Sequence, residues 1–180
     1  MSYQSDRQWS DQFIPAIKLI VGPMCILEGT EEQDCVEASD LVILRARGDL
    51  RIACRVRRPG YAASRYPWEF TIRSKRKSGM RTELPKIVEG WGDWMFYGHS
   101  NADETEIDRW MVVDLSQFRL QWNRDLYSRA MKEKPRLRWG EKENTDGRSS
   151  FLWFDARTFT SSILVASSEP LPQGLRVVSS

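Results

Sequence analysis

Apolar positions recur at the three-to-four-residue spacing of an amphipathic helix in three parts of the chain. The first of these segments contains Pro15, and Gly22 follows its end. The other two begin next to Thr82 and Ser116, whose hydroxyl groups can accept hydrogen bonds from the first free N–H groups of a helix. The pattern therefore predicts helices over residues 6–21, 83–90 and 116–131.

Runs of branched and aromatic residues, or of alternating apolar and polar residues, separate the predicted helices. Such runs are typical of strands, and most of them are bounded here by glycine, proline or aspartate, which interrupt strands. Helices and strands interspersed in this way predict an α/β fold. The predicted strands cover residues 39–44, 50–58, 69–73, 94–98, 110–114 and 150–154.

The first two predicted strands are joined by Gly48-Asp49, a dipeptide typical of a two-residue hairpin turn. Such a turn places Asp40 opposite Arg57, and a slip by one pair places Asp40 opposite Arg55. In either register a carboxylate and a guanidinium group share one face of the hairpin. The even-numbered apolar residues of the second strand then point to the other face, into the core.

Length and composition predict a single domain over residues 1–180, since the hydrophobic fraction is 41%. Three cysteines without CxxC spacing and one histidine support neither a disulfide framework nor a zinc site of cysteine and histidine ligands. No apolar run approaches the length of a membrane span or of a signal-peptide core. We therefore expect no membrane partner and a cytoplasmic location.

Basic residues are concentrated in one part of the chain, although the formal net charge is only +2. Residues 45–81 contain twelve lysine and arginine residues and only two acidic ones, Asp49 and Glu69. Clustered cations of this kind are typical of proteins that contact phosphate groups, and the predicted loop over residues 74–81 is the most basic part. The residues predicted to bind nucleic acid are Arg58, Arg73, Lys75, Arg76, Lys77 and Arg81.

Several residues with reactive or aromatic side chains receive no predicted role. His99 follows a predicted strand and, as a lone histidine, is expected at the surface. Trp122, Trp139 and Trp153 belong to no pattern that indicates chemistry.

The order of the elements carries a resemblance to a known family. A strand that begins at Asp40 is followed by a strand of alternating charge over residues 51–57, by a third strand and by a helix that begins at Glu83. This order resembles the PD-(D/E)xK nuclease superfamily, particularly its phage-encoded and restriction-like members. The resemblance covers about residues 6–155, with 156–180 as a C-terminal extension. It implies a restriction-endonuclease-like fold with a mixed central sheet flanked by helices.

In this superfamily an aspartate and a second carboxylate hold a divalent ion that activates water, and a lysine steadies the nucleophile. The resemblance implies that Asp40 binds Mg²⁺ and that Arg55 and Arg57 act on the phosphate. Arginine replaces the expected lysine, and the second carboxylate is absent at the usual spacing. The candidates for it are Glu69, Glu83, Asp34 and Glu32, of which Glu83 and then Asp34 are favoured. Alternatively, Glu83 only stabilises a helix start, and Asp40 only pairs with an arginine across the hairpin.

The resemblance implies a metal-dependent nuclease-like protein that acts on the phosphodiester backbone, with Asp40, Arg55, Arg57 and Glu83 as catalytic residues and DNA as the expected nucleic acid. The missing carboxylate favours an alternative, an inactive nuclease-fold module that binds nucleic acid or inhibits a protein. A third interpretation is a domain whose basic face binds an acidic protein. The resemblance also allows a homodimer, and a gene carried by a phage or mobile element would place the protein in the host cytoplasm.

Overall fold

The structure, a computed structural model, describes residues 3–22, 26–30, 39–43, 48–60, 66–170 and 172. The described residues form a mixed α/β fold with four α-helices and two sheets. The helices are α1 (Tyr3–Asp11), α2 (Ile14–Val21), α3 (Glu83–Val88) and α4 (Leu115–Ala130). The strands are β1 (Ile26–Glu28), β2 (Leu41–Ile43), β3 (Leu50–Arg57), β4 (Glu69–Arg76), β5 (Trp94–Ser100), β6 (Ile107–Asp114), β7 (Trp139–Glu143), β8 (Ser149–Asp155) and β9 (Leu164–Ser167).

The larger sheet contains six strands in the order β1-β2-β3-β5-β6-β9. Strands β3 and β5 run parallel, whereas its other neighbouring strands are antiparallel. A parallel pair needs a crossover connection, and here β4 and α3 lie within that connection. The basic strand β4 therefore leaves the larger sheet and starts the smaller one, which has the order β4-β8-β7.

Alternation along the strands divides the apolar residues between two clusters, one on each face of the larger sheet. On one face, Ile52, Val56 and Phe96 pack against Phe13 and Ile17 of the N-terminal helical segment. Since Ile52 and Val56 are buried and Cys54 packs partly buried against the same cluster, the predicted inward face of β3 is confirmed. The other cluster joins the larger sheet to the smaller sheet and α4, and it includes Met95, Tyr97, Met111, Val113, Phe70, Ile72, Phe154, Phe118 and Trp122.

The predicted hairpin register is wrong. The structure pairs Leu41 with Ile52 and Ile43 with Leu50, so Asp40 lies one position beyond the last pair, opposite Ala53, and not opposite Arg57 or Arg55. The backbone N–H of Asp40 donates to the carbonyl of Ile52 over 2.9 Å, which fixes this register. Gly48-Asp49 is not the two-residue turn either, because Leu50 pairs with Ile43; residues 44–47 lie outside the described residues.

The helices differ from prediction mainly at their ends. The predicted helix 6–21 is two helices, α1 and α2, and Pro15 lies in the first turn of α2, where its missing N–H removes no helical hydrogen bond. Helix α4 is capped by Asp114 and not by Ser116, since the Asp114 carboxylate accepts from the N–H groups of Ser116 and Gln117. Among the described helices, none is long and apolar enough to cross a membrane.

Three strands lie in segments for which the sequence predicted none. They are β1, β7 and β9, and each is at an edge of its sheet. Strand β9 pairs with β6, and Phe159 and Ile163, which precede it, belong to the core shared by the two sheets. The segment expected to be a C-terminal extension thus adds an edge strand and core residues.

Candidate nucleic-acid interface

An open cleft of about 540 Å³ lies between β3 and β4, bordered by α1, the start of α3 and the turn between β7 and β8. Among the described residues that line it, eight are basic and four are acidic. The basic residues are Arg7, Arg55, Arg57, Arg58, Arg73, Arg76, Arg81 and Lys86. The acidic residues are Asp11, Asp40, Glu83 and Asp146. The described lining therefore carries a clear excess of positive charge.

Strand alternation explains why arginines of β3 reach this cleft. Because the even-numbered residues of β3 face the N-terminal helices, Arg55 and Arg57 point to the opposite side, towards β4. There the Arg55 guanidinium donates to the Thr71 carbonyl over 3.3 Å, and the Thr71 hydroxyl lies 3.2 Å from the Tyr97 hydroxyl. These contacts join the two sheets at the inner end of the cleft.

Both oxygens of the Glu83 carboxylate accept hydrogen bonds from other groups of the protein. It forms an ion pair with Arg55, and its Oε2 accepts from the backbone N–H of Arg73 over 3.2 Å. Burial alone raises the pKa of Glu83, but the charges and hydrogen bonds of Arg55 and Arg73 together outweigh it and lower the pKa below its ordinary value. Glu83 is thus an anion that holds Arg55 and the β4 backbone in place.

Asp40 immediately precedes β2, and its side chain is hydrogen-bonded to the backbone of β3. Its carboxylate accepts a hydrogen bond from the backbone N–H of Cys54. Burial, followed by the nearby charge of Asp40, raises the pKa of the Cys54 thiol well above its ordinary value. Cys54 therefore stays protonated near neutral pH and is unsuited to act as a nucleophile.

A magnesium site of the kind implied by the resemblance needs at least two carboxylates with oxygens turned to one point. Asp40 stands opposite Ala53, which offers no ligand, and both oxygens of Glu83 accept from Arg55 or Arg73. In the described part of the chain, no group of three or more histidine, cysteine, aspartate or glutamate side chains is arranged to hold a metal ion. The described residues do not fit this site, and Asp34 lies outside them.

The structure separates the predicted phosphate-binding residues into two groups. Arg58, Arg73, Arg76 and Arg81 line the cleft together with the predicted catalytic residues Asp40, Arg55, Arg57 and Glu83. Lys75 and Lys77 are not among its lining residues; Lys75 forms an ion pair of 3.0 Å with Glu141. The cause is that β4 continues to Arg76 with a shift of register between Arg73 and Lys75, so Arg73 and Arg76 lie on one face of the strand and Lys75 on the other.

Arg58 is held at the rim of the cleft by α1 and by the turn between β5 and β6. Its guanidinium carbon lies 4.2 Å from the centre of the Trp9 ring, and Nη1 is 3.1 Å from the Glu104 carboxylate. The Trp9 indole N–H donates to the same carboxylate. A stacked arginine with a fixed guanidinium is well prepared for phosphate contact, because little side-chain entropy remains to be lost.

No family model, curated protein or solved structure matches this chain. Its function is therefore inferred from the geometry and the charge of the cleft.

The sequence did not indicate that α1 or the segment between β7 and β8 would contribute to the cleft. Arg7 and Asp11 belong to a helix predicted only from its apolar residues, and Asn144 and Asp146 lie about seventy residues beyond the basic strand. Their approach results from tertiary packing alone. The one available signal was Asp146-Gly147, a turn dipeptide that brings β7 and β8 together.

His99 is buried and not at the surface, contrary to the prediction. It lies between Arg57 and Arg109 on neighbouring strands, and neither ring nitrogen has a hydrogen-bond partner among the described residues. Burial, with a smaller contribution from the charges of Arg57 and Arg109, lowers the pKa of His99 from 6.5 to about 4. The imidazole is therefore neutral in the folded protein at neutral pH.

This burial predicts a loss of stability in mild acid. The unfolded chain binds a proton at His99 below about pH 6.5, whereas the folded protein does so only near pH 4, so stability falls as the pH decreases between these values. The loss expected from His99 between pH 7 and pH 5 is about 2 kcal/mol. Urea unfolding of wild type and His99→Phe at both pH values measures it. If the free energy of unfolding of both proteins falls by the same amount between pH 7 and pH 5, His99 is not the source of the loss.

Proposed function

We propose that this protein binds the phosphodiester backbone of nucleic acid in the cleft between β3 and β4, on a restriction-endonuclease-like scaffold. The observation that carries the proposal is the excess of basic over acidic side chains that converge there from four separate elements, α1, β3, β4 and α3. Cations lining one concave surface focus the electrostatic field on a polyanion and gain affinity by releasing its counterions. The mixed sheet with helices packed on it supports the scaffold part of the proposal.

The cleft lining carries net positive charge even though several of its arginines have carboxylate partners. The presence of one arginine can be explained by an ion pair with one carboxylate, as in the pair of Arg55 with Glu83. The described lining nevertheless has twice as many basic residues as acidic ones, although Arg58 and Arg81 also pair with Glu104 and Glu89 outside it. A net positive charge on one concave surface attracts a polyanion.

Binding to labelled single- and double-stranded oligonucleotides at several salt concentrations tests this proposal. Contact with several phosphates predicts that the logarithm of the binding constant falls linearly with the logarithm of the salt concentration, with a slope of about −3 or steeper. Polyglutamate is the control polymer, because an acidic-protein site would accept it. Absence of oligonucleotide binding at low salt, or equal binding of polyglutamate, would contradict the proposal.

Metal-dependent cleavage of the bound backbone is the second candidate function, and it requires a second carboxylate from outside the described residues, such as Asp34. It is favoured by one observation, that Asp40 lines the same cleft as Arg55 and Arg57. Incubation of labelled DNA and RNA with Mg²⁺ or Mn²⁺ tests it, with Asp40→Ala beside the wild type. Cleavage that chelator and Asp40→Ala both abolish would establish a nuclease, and binding without cleavage would leave the non-catalytic module.

A further inference from the structure

Two aromatic side chains, Phe151 and Trp153, stand on one face of the smaller sheet. They are two residues apart on β8, the central strand of the three, so alternation places both on the same face. Phe154 and Leu152, which alternate with them, point to the opposite face and are buried in the core beside α4. We call the face that carries Phe151 and Trp153 the aromatic face.

The register of the smaller sheet shows which residues surround the two rings. Phe151 lies between Arg73 of β4 and Lys142 of β7, so it is flanked by a cation on either side. Trp153 lies between Thr71 and Gly140. The next pair along the strands brings Arg138 beside Asp155, since the carbonyl of Arg138 accepts from the N–H of Asp155 over 3.0 Å.

Gly140 holds the indole of Trp153 in a defined position. A Cβ at residue 140 would approach Trp153 Nε1 to 3.0 Å and Cε2 and Cζ2 to 3.1 Å, so the ring lies directly against the glycine backbone. No side chain larger than hydrogen fits between them without moving the ring. The indole is thus fixed on one side by the sheet while it stays partly exposed.

Neither ring belongs to the hydrophobic core. Both are half-buried, and neither is part of the two core clusters. Within the described ranges neither ring pairs with another aromatic ring, whereas Phe154 and Trp139 of the same sheet take part in several such pairs. Two partly exposed aromatic rings on one face of a sheet, with cations on both sides of Phe151, are an arrangement that binds unpaired bases.

The aromatic face continues into the cleft. Arg76 pairs with Ser149 on the same side of the smaller sheet, and Arg73, Arg76 and Ser149 all line the cleft. A strand of nucleic acid whose phosphates lie on the cleft arginines would therefore pass next to Phe151, with Trp153 two residues further along β8.

We propose that Phe151 and Trp153 stack on unpaired bases, and that the ligand of the cleft is accordingly a single-stranded nucleic acid. The inference rests on the proposed function and specifies its substrate class. Stacking requires the face of a base, and in a duplex those faces are already covered by neighbouring bases. The flanking cations, Arg73 and Lys142, compensate the phosphates on either side of a stacked base.

The experiment compares three labelled probes of about 16 nucleotides. They are oligothymidylate, an oligomer of the same length made of abasic residues, and a duplex. The abasic oligomer keeps the phosphates but has no bases, so it separates stacking from backbone contact. Wild-type protein is expected to bind oligothymidylate roughly tenfold or more tightly than the abasic oligomer.

The matched variants remove the rings and keep an apolar side chain. The double variant Phe151→Leu, Trp153→Leu is expected to bind oligothymidylate and the abasic oligomer equally well. Tyr127→Leu removes an aromatic ring that is 65% exposed on α4, far from β8 in sequence, and should behave like wild type. The abasic comparison on wild-type protein needs no variant, so it decides the question even if the double variant fails to fold.

The outcomes separate this inference from the function on which it rests. Salt-dependent binding of all three probes with equal affinity would overturn the stacking role and leave backbone binding in place. Preference for the duplex, or full retention of base preference in the double variant, would overturn it as well. Absence of binding to every probe would overturn the proposed function and the inference together.

Discussion

Replacement of Asp125 by alanine is expected to lower the free energy of unfolding by about 3–5 kcal/mol. The Asp125 carboxylate is buried and accepts hydrogen bonds from the Arg129 side chain, from the backbone N–H groups of Arg136 and Leu137, and from the Trp139 indole, over 2.6–2.9 Å. It thereby fixes the chain that enters β7 against α4. Without the carboxylate, four donors lose their acceptor in a poorly hydrated place.

The ionised form of Asp125 is the one that stabilises the fold. Burial alone raises its pKa, but the hydrogen bonds from Arg129, Leu137, Trp139 and Arg136 together lower it below the ordinary value of 3.8. A lowered pKa in the folded state means that the contribution is complete above the ordinary pKa and is lost as the pH falls through the folded-state value. The wild-type protein should therefore lose this contribution only in strong acid.

Denaturant unfolding at neutral pH measures the effect, and Asp114→Ala is the matched control. Asp114 also accepts from backbone N–H groups, but it does so at the partly exposed start of α4, where loss of a cap costs about 1 kcal/mol. Asp125→Asn keeps one acceptor oxygen and should fall between the two. A loss in Asp125→Ala no larger than that in Asp114→Ala would contradict the role of the buried carboxylate.

Reversal of two charges in the cleft is expected to weaken nucleic-acid binding on the order of a hundredfold at low salt. Arg57 of β3 and Arg76 of β4 line facing walls of the cleft, so Arg57→Glu with Arg76→Glu removes a favourable charge and adds a repulsive one on each wall. The salt dependence of the remaining binding should also become shallower. Anisotropy titrations over a range of salt concentrations provide both quantities.

The control for the reversal places the same charge change elsewhere. Arg124 on α4 and Lys134 after it are exposed and do not line the cleft, so Arg124→Glu with Lys134→Glu changes the net charge equally. A general charge effect would weaken binding in both double variants. If both lose affinity to the same extent, the cleft is not the binding site.

The sequence could define the faces of the β2–β3 hairpin but not its register. The predicted partner of Leu41 was Val56 or Cys54, and the observed partner is Ile52, all three on the same face. A shift by two residues keeps every side chain on its own face, so the apolar pattern has no information on it. The position of the turn could have set the register, but the pairing of Ile43 with Leu50 shows that Gly48-Asp49 is not the whole turn.

Edge strands were harder to predict than central ones for a related reason. Strand β7 reads Trp-Gly-Glu-Lys-Glu, with no apolar alternation, because it pairs on one side only and much of it is exposed. Its pairing with β8 and the contact of Gly140 with Trp153 supply the stability that its own composition lacks. Interactions of this kind lie between elements and leave no local pattern.

The sequence predicted the basic residues of the candidate site. It did not predict their contacts, which involve residues far apart in the sequence. The concentration of arginines around β3 and β4 follows directly from the sequence, and most of them line one cleft. The hydrogen bonds from Arg55 and Arg73 to Glu83 could not be predicted, because they require β4 to leave the larger sheet and lie opposite β3. The rings of Phe151 and Trp153 became significant only through the register of the smaller sheet.

Photocross-linking of a single-stranded oligonucleotide containing a thiolated base tests the central claim most directly, because mass spectrometry of the cross-linked peptides identifies the contact surface. We expect cross-links in residues 53–58, 73–83 and 149–153, which line the cleft and the aromatic face. Residues 132–138 form a second basic segment outside the cleft. Cross-links confined to that segment, or to α4, would contradict binding in the cleft.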